Sequence, residues 1–342
     1  MLDKLIQENT PFIDVRSPKE FDHGSMPTSV NIPILNDDER EIIGKKFKQD
    51  GSEAAQKAGY RLVSGALKDE RVIKWKKFID KNPNAWIYCA RGGLRSRIAQ
   101  IWLKEIGVNV DRVELGFKSL RNFCMQIIDD IKKDKKDWII LAGRTGSNKT
   151  KLINILNNSI DLEGLANHRG SAFGDKSTPQ PTPINFENML SVKYFQHNNK
   201  KLILEDESRT IGRLVIPDLF HYKMRQSNIC ILEAPLVERV ENIYNDYIAN
   251  LSFSDNQAAL NMKKFQNNLI KISKRLGSDN FKKIDKLMKR AFIDAKKETH
   301  LQWIEELLSC YYDRMYDYQL DRKMNRCSYK GDWKACLDFL ET

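Results

Sequence analysis

Cys89 is the side chain in this sequence best placed for nucleophilic chemistry, because it directly follows a short apolar strand signal at residues 86–88. Two glycines and two arginines come next, and a helix pattern starts near residue 96. The glycines let the backbone curl so that N–H groups point inward, and the helix N-terminus adds to this positive field. Such a loop favours the thiolate and can hold an oxyanion or a persulfide. The predicted anion loop consists of Arg91, Gly92, Gly93 and Arg95.

A buried structural role is the usual alternative for a cysteine after a strand, and the Gly-Gly-Arg context favours chemistry at Cys89. The five other cysteines lack that context. None of the six belongs to a CxxC pair, which argues against a zinc ribbon and a disulfide scaffold. We therefore expect reduced thiols, with Cys89 as the catalytic one.

A second candidate site is the turn GRTGSNKT at residues 143–150, which follows an apolar run and opens a helix. It matches the phosphate-binding pattern GxxxxGK[ST] except at Asn148, where the pattern has glycine. Asn tolerates the left-handed backbone better than most residues, so the departure argues more against tight nucleotide binding and hydrolysis than against phosphate binding. An ordinary strand–helix turn is the alternative. The predicted phosphate-binding residues are Gly143, Thr145, Gly146, Ser147, Lys149 and Thr150, the last also a candidate for holding Mg²⁺.

Polar residues at two further places are expected at the same edge of the sheet, where ligands bind in open α/β folds. The apolar run 201–204 ends in Glu205 and Asp206, one of which is expected to hold Mg²⁺ through water, unless this is only a charged strand end. Residues 161–174 and 207–213 concentrate Gly, His and Arg. The candidates for phosphate or tRNA contacts are His168, Arg169, Arg209 and Arg213, although a lone histidine is more often structural.

The elements that position these residues alternate between strand and helix, which predicts an α/β fold with mostly parallel sheets. Strands are predicted at residues 12–15, 86–88, 110–115, 138–142, 201–204 and 229–232, a long functional loop at 164–183, and helices from residue 236 onward. A charged run at residues 132–137 marks a boundary. We predict an N-terminal parallel-sheet domain at 1–130, a P-loop α/β domain at 131–250, and a basic helical extension at 251–342 packed on the P-loop domain.

Length and composition limit the classes of protein that fit. The chain has 342 residues, enough for about two domains, and its 41% hydrophobic and 30% charged residues exclude a largely disordered chain. Apolar runs are far shorter than the ~18–20 residues that span a bilayer. The N-terminus also lacks the charged-then-apolar pattern of a signal peptide. We therefore expect a cytoplasmic protein with no membrane partner.

Basic residues are in excess, with a net charge of +11 for the whole chain and +8 within residues 260–300. A basic surface of this size favours a polyanionic partner, and a solvated helical face is the alternative. Leu287, Phe292 and Ile293 are expected to pack inward beneath it. The predicted nucleic-acid platform comprises Lys263, Lys264, Lys271, Lys274, Arg275, Lys282, Lys283, Lys286, Lys289, Arg290, Lys296 and Lys297.

The N-terminal 120 or so residues resemble a rhodanese domain. The matching pieces are DVRSPKEF at residues 14–21, HGSMP at 23–27, VNIP at 30–33 and the loop 89–95. In rhodaneses the loop cysteine carries sulfur or selenium, so the resemblance implies that role for Cys89. It also implies that Asp14 and Arg16 stabilise the fold around the loop.

Over most of residues 10–250 the chain resembles the tRNA 2-selenouridine synthase family. The matching stretches are residues 88–96, 143–150, 161–174, 180–181, 186–188 and 205–212, whereas the region after about 255 matches only in position and character. The resemblance implies a transferase that replaces the sulfur of wobble 2-thiouridine with selenium in the tRNAs for Lys, Glu and Gln. Selenophosphate is then the donor and geranyl diphosphate forms an S-geranyl-2-thiouridine intermediate.

On this interpretation the P-loop binds diphosphate or selenophosphate, Cys89 acts in the selenium step, and the basic helices bind tRNA. Selenophosphate synthetase is expected to supply the donor, and no bound prosthetic group is required. Two alternatives stay open: an ATP-dependent P-loop enzyme with a rhodanese sulfur-carrier domain, and a non-enzymatic RNA-binding module whose two loops only sense anions.

Overall fold

The structure is a computed structural model that describes residues 1–342 except the side chain of residue 255. Its helices are α1 Leu2–Gln7, α2 Pro18–His23, α3 Asp37–Leu62, α4 Gly65–Lys81, α5 Leu94–Glu105, α6 Gly116–Asp129, α7 Lys149–Ile155, α8 Leu162–Leu165, α9 Pro183–Gln196, α10 Asp218–Gln226, α11 Leu236–Tyr247, α12 Asp255–Leu276, α13 Ser278–Asp294, α14 Lys297–Leu307, α15 Asp313–Asp321 and α16 Trp333–Glu341. Its strands are β1 Phe12–Asp14, β2 Ser29–Asn31, β3 Trp86–Tyr88, β4 Asp111–Arg112, β5 Asp137–Gly143, β6 Ser159–Ile160, β7 Lys201–Glu205, β8 Thr210–Ile211, β9 Leu214–Val215, β10 Asn228–Leu232 and β11 Cys327–Gly331.

The chain forms two compact units. The first comprises Met1–Ile131 with Pro181–Asn198, and the second comprises Lys132–Gln180 with Asn199–Thr342. The predicted domain ranges placed helix α9 in the P-loop domain, whereas it packs in the first unit. There Phe195 of α9 meets Phe123 of α6 with ring centroids 5.3 Å apart.

The first unit contains a parallel four-stranded sheet in the order β2-β1-β3-β4. Strand β1 is fully buried, as are the central and last residues of β3, so Cys89 emerges from the carboxyl end of an interior strand. Trp75 of α4 stacks on Trp102 of α5 at 6.2 Å over this sheet. The strand predicted at residues 110–115 is shortened to β4, because the chain turns through a left-handed Leu115 into α6.

The second unit contains a parallel five-stranded sheet in the order β11-β10-β5-β7-β6. Every residue of β5 after the first is buried, as expected for a continuous apolar run in a parallel sheet covered on both faces. Strand β11 was missed, because its sequence CSYKG has no apolar run and the whole region has helical spacing. It pairs parallel to β10, so the end of the chain completes the P-loop sheet.

Helices α11 to α14 share an apolar core within the second unit, in which Phe265, Phe292 and Trp303 pack together. The inward orientation of Phe292 is confirmed, and Leu287 is partly buried against the same cluster. The prediction for Ile293 is wrong, because its side chain is 78% exposed. None of the described helices combines the length and apolar composition needed to cross a membrane.

Candidate functional site

Two glycines let the cysteine loop close against the start of α6. Gly92 has φ +63° and Gly116 has φ +58°, and a Cβ on Gly92 would lie 2.6 Å from the backbone nitrogen of Leu115. The backbone carbonyl of Cys89 accepts a 2.8 Å hydrogen bond from the N–H of Phe117. The curled loop predicted from the two glycines is therefore present, with a second helix start bound to it.

Cys89 is buried, with 3% of its surface exposed, and its Sγ lies 3.2 Å from the hydroxyl of Ser96. Arg95 forms a two-point ion pair with Glu20, including a 2.9 Å bond, so this guanidinium is already neutralised. Arg91 is exposed and forms no ion pair with any described side chain. Of the two predicted arginines, Arg91 is thus the one free to meet an incoming anion, and activation of the thiol stays a prediction.

The P-loop adopts the backbone that the sequence predicted at its unusual position. Asn148 has φ +65° and ψ +30° and precedes helix α7. Gly146 has φ +84°, and a Cβ there would lie 2.7 Å from the carbonyl oxygen of Arg239. Lys149 Nζ donates to the carbonyl of Gly143 at 2.7 Å, and the buried Ser147 hydroxyl has no hydrogen-bond partner in the described structure. Ser147 therefore offers an unused donor beside the phosphate cradle.

Side chains of helix α11 hydrogen-bond to the backbone of the P-loop. Arg239 is 2% exposed and forms two 2.8 Å bonds with Asp313. Its guanidinium also donates to the carbonyl of Thr145 at 3.3 Å, and Asn242 donates to the carbonyl of Gly146 at 2.9 Å. A buried ion pair is therefore bonded directly to the loop backbone, which limits the conformations that the loop can take.

Carboxyl groups surround the Thr150 hydroxyl. That hydroxyl lies 2.9 Å from Glu205 Oε1 and 3.0 Å from Glu163 Oε2. Burial, together with the nearby carboxyls of Glu163 and Asp161, raises the pKa of Glu205 to about 8. Burial also raises the pKa of Glu163 and, with the carboxyls of Glu163 and Glu205, the pKa of Glu207. These shifts all favour the protonated carboxyls, and a bound cation would favour the ionised ones.

The two acids that the sequence did not separate have different partners. Glu205 is 1% exposed and contacts Thr150. Asp206 instead pairs with Lys323, at 2.7 Å for one of its oxygens, and both side chains of that pair are largely buried. Glu205 is therefore the acid at the P-loop threonine, and Asp206 anchors the chain before β11.

Mg²⁺ usually keeps several waters and binds one or two carboxylates together with substrate phosphates. The Thr150 hydroxyl between Glu163 and Glu205 fits this donor set. No group of three or more His, Cys, Asp or Glu residues among the described side chains forms a metal cage by itself. These residues therefore fit a Mg²⁺ ion that arrives with a phosphorylated ligand.

The P-loop borders a cavity of about 890 Å³, here called the P-loop cavity. Helix α12 contributes three cations to its wall, and the segment around the π-helical turn Leu308–Tyr312 contributes an apolar and aromatic side. A π-turn rotates side chains away from the usual helical spacing and is frequent at functional sites. The cations that α12 contributes are Lys271, Lys274 and Arg275, of which Lys271 lies 3.3 Å from Asp175. The apolar and aromatic side consists of Tyr311, Tyr312, Met315 and Tyr316.

Of the four predicted phosphate or tRNA contacts, only Arg169 lines the P-loop cavity, where its guanidinium lies 4.7 Å from the ring of Tyr247. His168 is 5% exposed, and burial lowers its pKa, so it supports the loop as a neutral side chain. Arg209 pairs with Asp218 at 2.7 Å. The fourth, Arg213, donates to the carbonyl of Gln180. A tRNA role for these residues stays a prediction.

Residues 136–342 match the family model described as the tRNA 2-selenouridine synthase AAA domain, and residues 1–123 match the rhodanese-like domain. A protein of Shewanella denitrificans named tRNA 2-selenouridine synthase is 41% identical, over 98% of this chain and 95% of its own. A protein of the same name from Nitrosomonas europaea is 40% identical over 99% and 97%.

This chain belongs to the tRNA 2-selenouridine synthase family. The matches confirm the predicted fold class, a rhodanese-like domain followed by a P-loop domain with a largely helical C-terminal part.

In this member of the tRNA 2-selenouridine synthase family, several site residues were missed from the sequence. Glu163 was passed over because the stretch 161–174 stands out for its Gly, His and Arg residues, and a single carboxyl carried no signal of its own. Arg239 was missed because a lone arginine on an amphipathic helix normally faces solvent. The tyrosines of the cavity wall carry helical spacing, which predicts an ordinary core. The positive charge of Lys271, Lys274 and Arg275 was the one usable signal. From the sequence, that charge was assigned to the predicted nucleic-acid platform and not to a cavity.

Proposed function

We propose that this protein converts wobble 2-thiouridine in the tRNAs for Lys, Glu and Gln to 2-selenouridine. Selenophosphate is the selenium donor, supplied by selenophosphate synthetase. S-geranyl-2-thiouridine, made from geranyl diphosphate, is the intermediate. Membership of the family supports the coarser statement, that the protein is a tRNA-modifying enzyme. The donors and the intermediate are implied by the family resemblance, and the chemistry of the sites agrees with them.

The observation that carries the proposal is the mixed lining of the P-loop cavity. The loop N–H groups, Lys149 and the cations of α12 suit a diphosphate. Tyr311, Tyr312 and Met315 suit a hydrocarbon. A prenyl diphosphate has both features in one molecule. The left-handed Asn148 places a side chain where nucleotide P-loops have glycine, which argues against tight nucleotide binding.

In the first step the 2-thio sulfur attacks C1 of geranyl diphosphate, the C1–O bond breaks, and diphosphate leaves with its charge neutralised by the loop. Alkylation makes the sulfur a better leaving group. In the second step the selenium of selenophosphate attacks C2 of the base and geranyl thiol departs with a proton. Water then hydrolyses the Se–P bond, which releases phosphate and leaves 2-selenouridine. Cys89 is then the residue that handles selenium, since its loop combines a thiol with a free arginine.

The test is to incubate the purified full chain with 2-thiouridine tRNA, geranyl diphosphate and selenophosphate, and to analyse the nucleosides by mass spectrometry. We expect 2-selenouridine from the wild type and only the S-geranyl nucleoside from Cys89→Ala. Thr150→Val is expected to lose both products, because it removes the hydroxyl between the two carboxyls. Unmodified 2-thiouridine throughout, or a requirement for ATP, would overturn the proposal.

A further inference from the structure

A large apolar cavity lies beside Cys89 in the first unit. It measures about 610 Å³ and includes Cys89 in its lining. We call it the cysteine cavity and define it by its main apolar wall. That wall consists of Ile43, Phe47, Tyr60, Leu94, Ile98 and Trp102.

Helix α3 supplies half of this wall, and it does so because it bends. Gly51, with φ +83°, interrupts the helix, so the turns before and after it both face the cavity. A bend of this kind needs a residue that adopts a positive φ at little cost, which is why glycine stands there. The shape of the cavity is therefore built into the helix rather than left by loose packing.

The cavity exceeds the needs of a selenium carrier. A persulfide or its selenium counterpart is small and polar, and the anion loop alone can hold it. Here, however, Phe47 is 56% exposed, Tyr60 41% and Leu94 41%, all on the lining of one cavity. Clustered exposed apolar side chains mark a binding site for an apolar group.

The lining of the cavity also includes exposed cations. Lys48 and Arg91 belong to it, and neither forms an ion pair with another described side chain. Arg40 also lines it and lies 3.5 Å from Glu20. The cysteine cavity thus offers apolar walls, a thiol and exposed positive charge on one lining. A nucleic acid that carries a hydrocarbon substituent near its phosphates complements all three.

We propose that the cysteine cavity binds the prenyl group of S-prenyl-2-thiouridine in tRNA and thereby selects alkylated over unalkylated tRNA for the selenium step. This rests on the proposed function, which makes the S-prenyl nucleoside. Binding of the hydrocarbon beside Cys89 places the sulfur that must leave next to the thiol loop. The same cavity has no apolar group to hold in unmodified 2-thiouridine.

The test uses the full chain and two synthetic anticodon stem–loop RNAs, one with S-geranyl-2-thiouridine and one with 2-thiouridine. The wild type is expected to bind the S-geranyl RNA at least about tenfold more tightly. Phe47→Glu and Phe47→Gln are expected to abolish this preference. Ile42→Glu is the matched control, because Ile42 is 52% exposed on the same helix but does not line the cavity. Equal affinity of the wild type for both RNAs would overturn the proposal, as would equal effects of Phe47→Glu and Ile42→Glu.

A second readout follows alkylation of Cys89 by iodoacetamide, resolved by peptide mass spectrometry. We expect Cys89 to be alkylated more slowly with the S-geranyl RNA bound than with the 2-thiouridine RNA bound. Equal protection by the two RNAs contradicts the proposal. Geranylation of 2-thiouridine tRNA is assayed in parallel. If the protein does not geranylate the tRNA but still binds S-geranyl RNA selectively, the first step of the proposed function is wrong and the cavity proposal is supported. If it geranylates the tRNA but shows no selective binding, the proposed function stands and the cavity proposal is wrong.

Discussion

Glu205 is an acid kept in a place that disfavours its charge. It lies at the carboxyl end of an interior strand, 1% exposed, with a second carboxyl sharing the same threonine hydroxyl. Such an arrangement costs stability at neutral pH, because the unfolded chain ionises this group freely. Residues that are retained despite such a cost are commonly functional.

The Glu205→Gln substitution is therefore expected to stabilise the protein at pH 7 and above. With a folded pKa of about 8 against an ordinary value of 4.5, the folded state binds more protons than the unfolded state between these values. Stability contributed by this group is thus full below pH 4.5 and falls as pH rises to about 8. The neutral amide removes this fall, on the order of a few kcal/mol. Thermal melts of wild type and variant from pH 5 to 9 measure it.

The same substitution should weaken Mg²⁺-dependent binding of geranyl diphosphate, measured by calorimetry at pH 8.5, where the wild-type carboxylate is available. Asp206→Asn serves as the comparison, since Asp206 pairs with Lys323 away from Thr150. A variant that melts lower than the wild type at pH 8, or that binds the Mg²⁺ complex as tightly, would contradict the role given to Glu205.

At this scale the sequence predicted the local backbone and placement where a motif fixes the spacing of the residues. Cys89, Lys149, Thr150 and the left-handed Asn148 lie as their local patterns predicted. The choice between Glu205 and Asp206 depended on Lys323, more than a hundred positions away. A partner so distant in the chain leaves no local pattern, so the choice required the fold.

At the scale of elements, helix α12 changes the interpretation of the basic region. The sequence predicted one nucleic-acid platform over residues 260–300. In the structure Lys274 and Arg275 line the P-loop cavity, whereas Lys289 and Arg290 pair with acids of their own helix, Asp285 and Asp294. Ion pairs one helical turn apart neutralise part of the charge that the composition counts.

We therefore expect Lys274→Glu with Arg275→Glu to weaken binding of geranyl diphosphate by at least about tenfold, because two cations near the phosphates become anions. Lys289→Glu with Arg290→Glu changes the same charge on α13 and is expected to leave that affinity within about twofold. Calorimetric titration of both double variants gives the comparison. Equal losses would mean that net charge, and not the lining of the cavity, controls binding.

Strands were predicted better than the helices that shape the two cavities. Apolar runs such as those of β5, β7 and β10 leave few choices in a parallel sheet. Helix α3 has too few apolar residues to show a clear apolar stripe, and its bend at Gly51 interrupts the helical spacing of those residues. Strand β11 becomes apparent only through its pairing with β10. Tertiary contacts, and not local sequence patterns, therefore determine both elements.

At the scale of the whole molecule, the chain combines two units with different ligand chemistry. The first unit offers a thiol loop and an apolar cavity, and the second offers a phosphate cradle with an aromatic wall. The proposed two-step modification would use both, because alkylation releases diphosphate and replacement needs a site for the selenium step. On the same proposal, the excess positive charge serves the tRNA that is common to both steps.

Affinity for tRNA is accordingly expected to fall steeply with salt, because a chain with net charge +11 displaces counterions from the phosphate backbone. Between about 50 and 200 mM salt we expect a loss of at least about tenfold, measured by fluorescence anisotropy with labelled 2-thiouridine tRNA. The preference of the cysteine cavity for S-geranyl over 2-thiouridine RNA is apolar, so its ratio should stay nearly constant over the same range. A tRNA affinity that does not change with salt would contradict the electrostatic part. A preference that disappears with salt would show that charge, and not the hydrocarbon, is being selected.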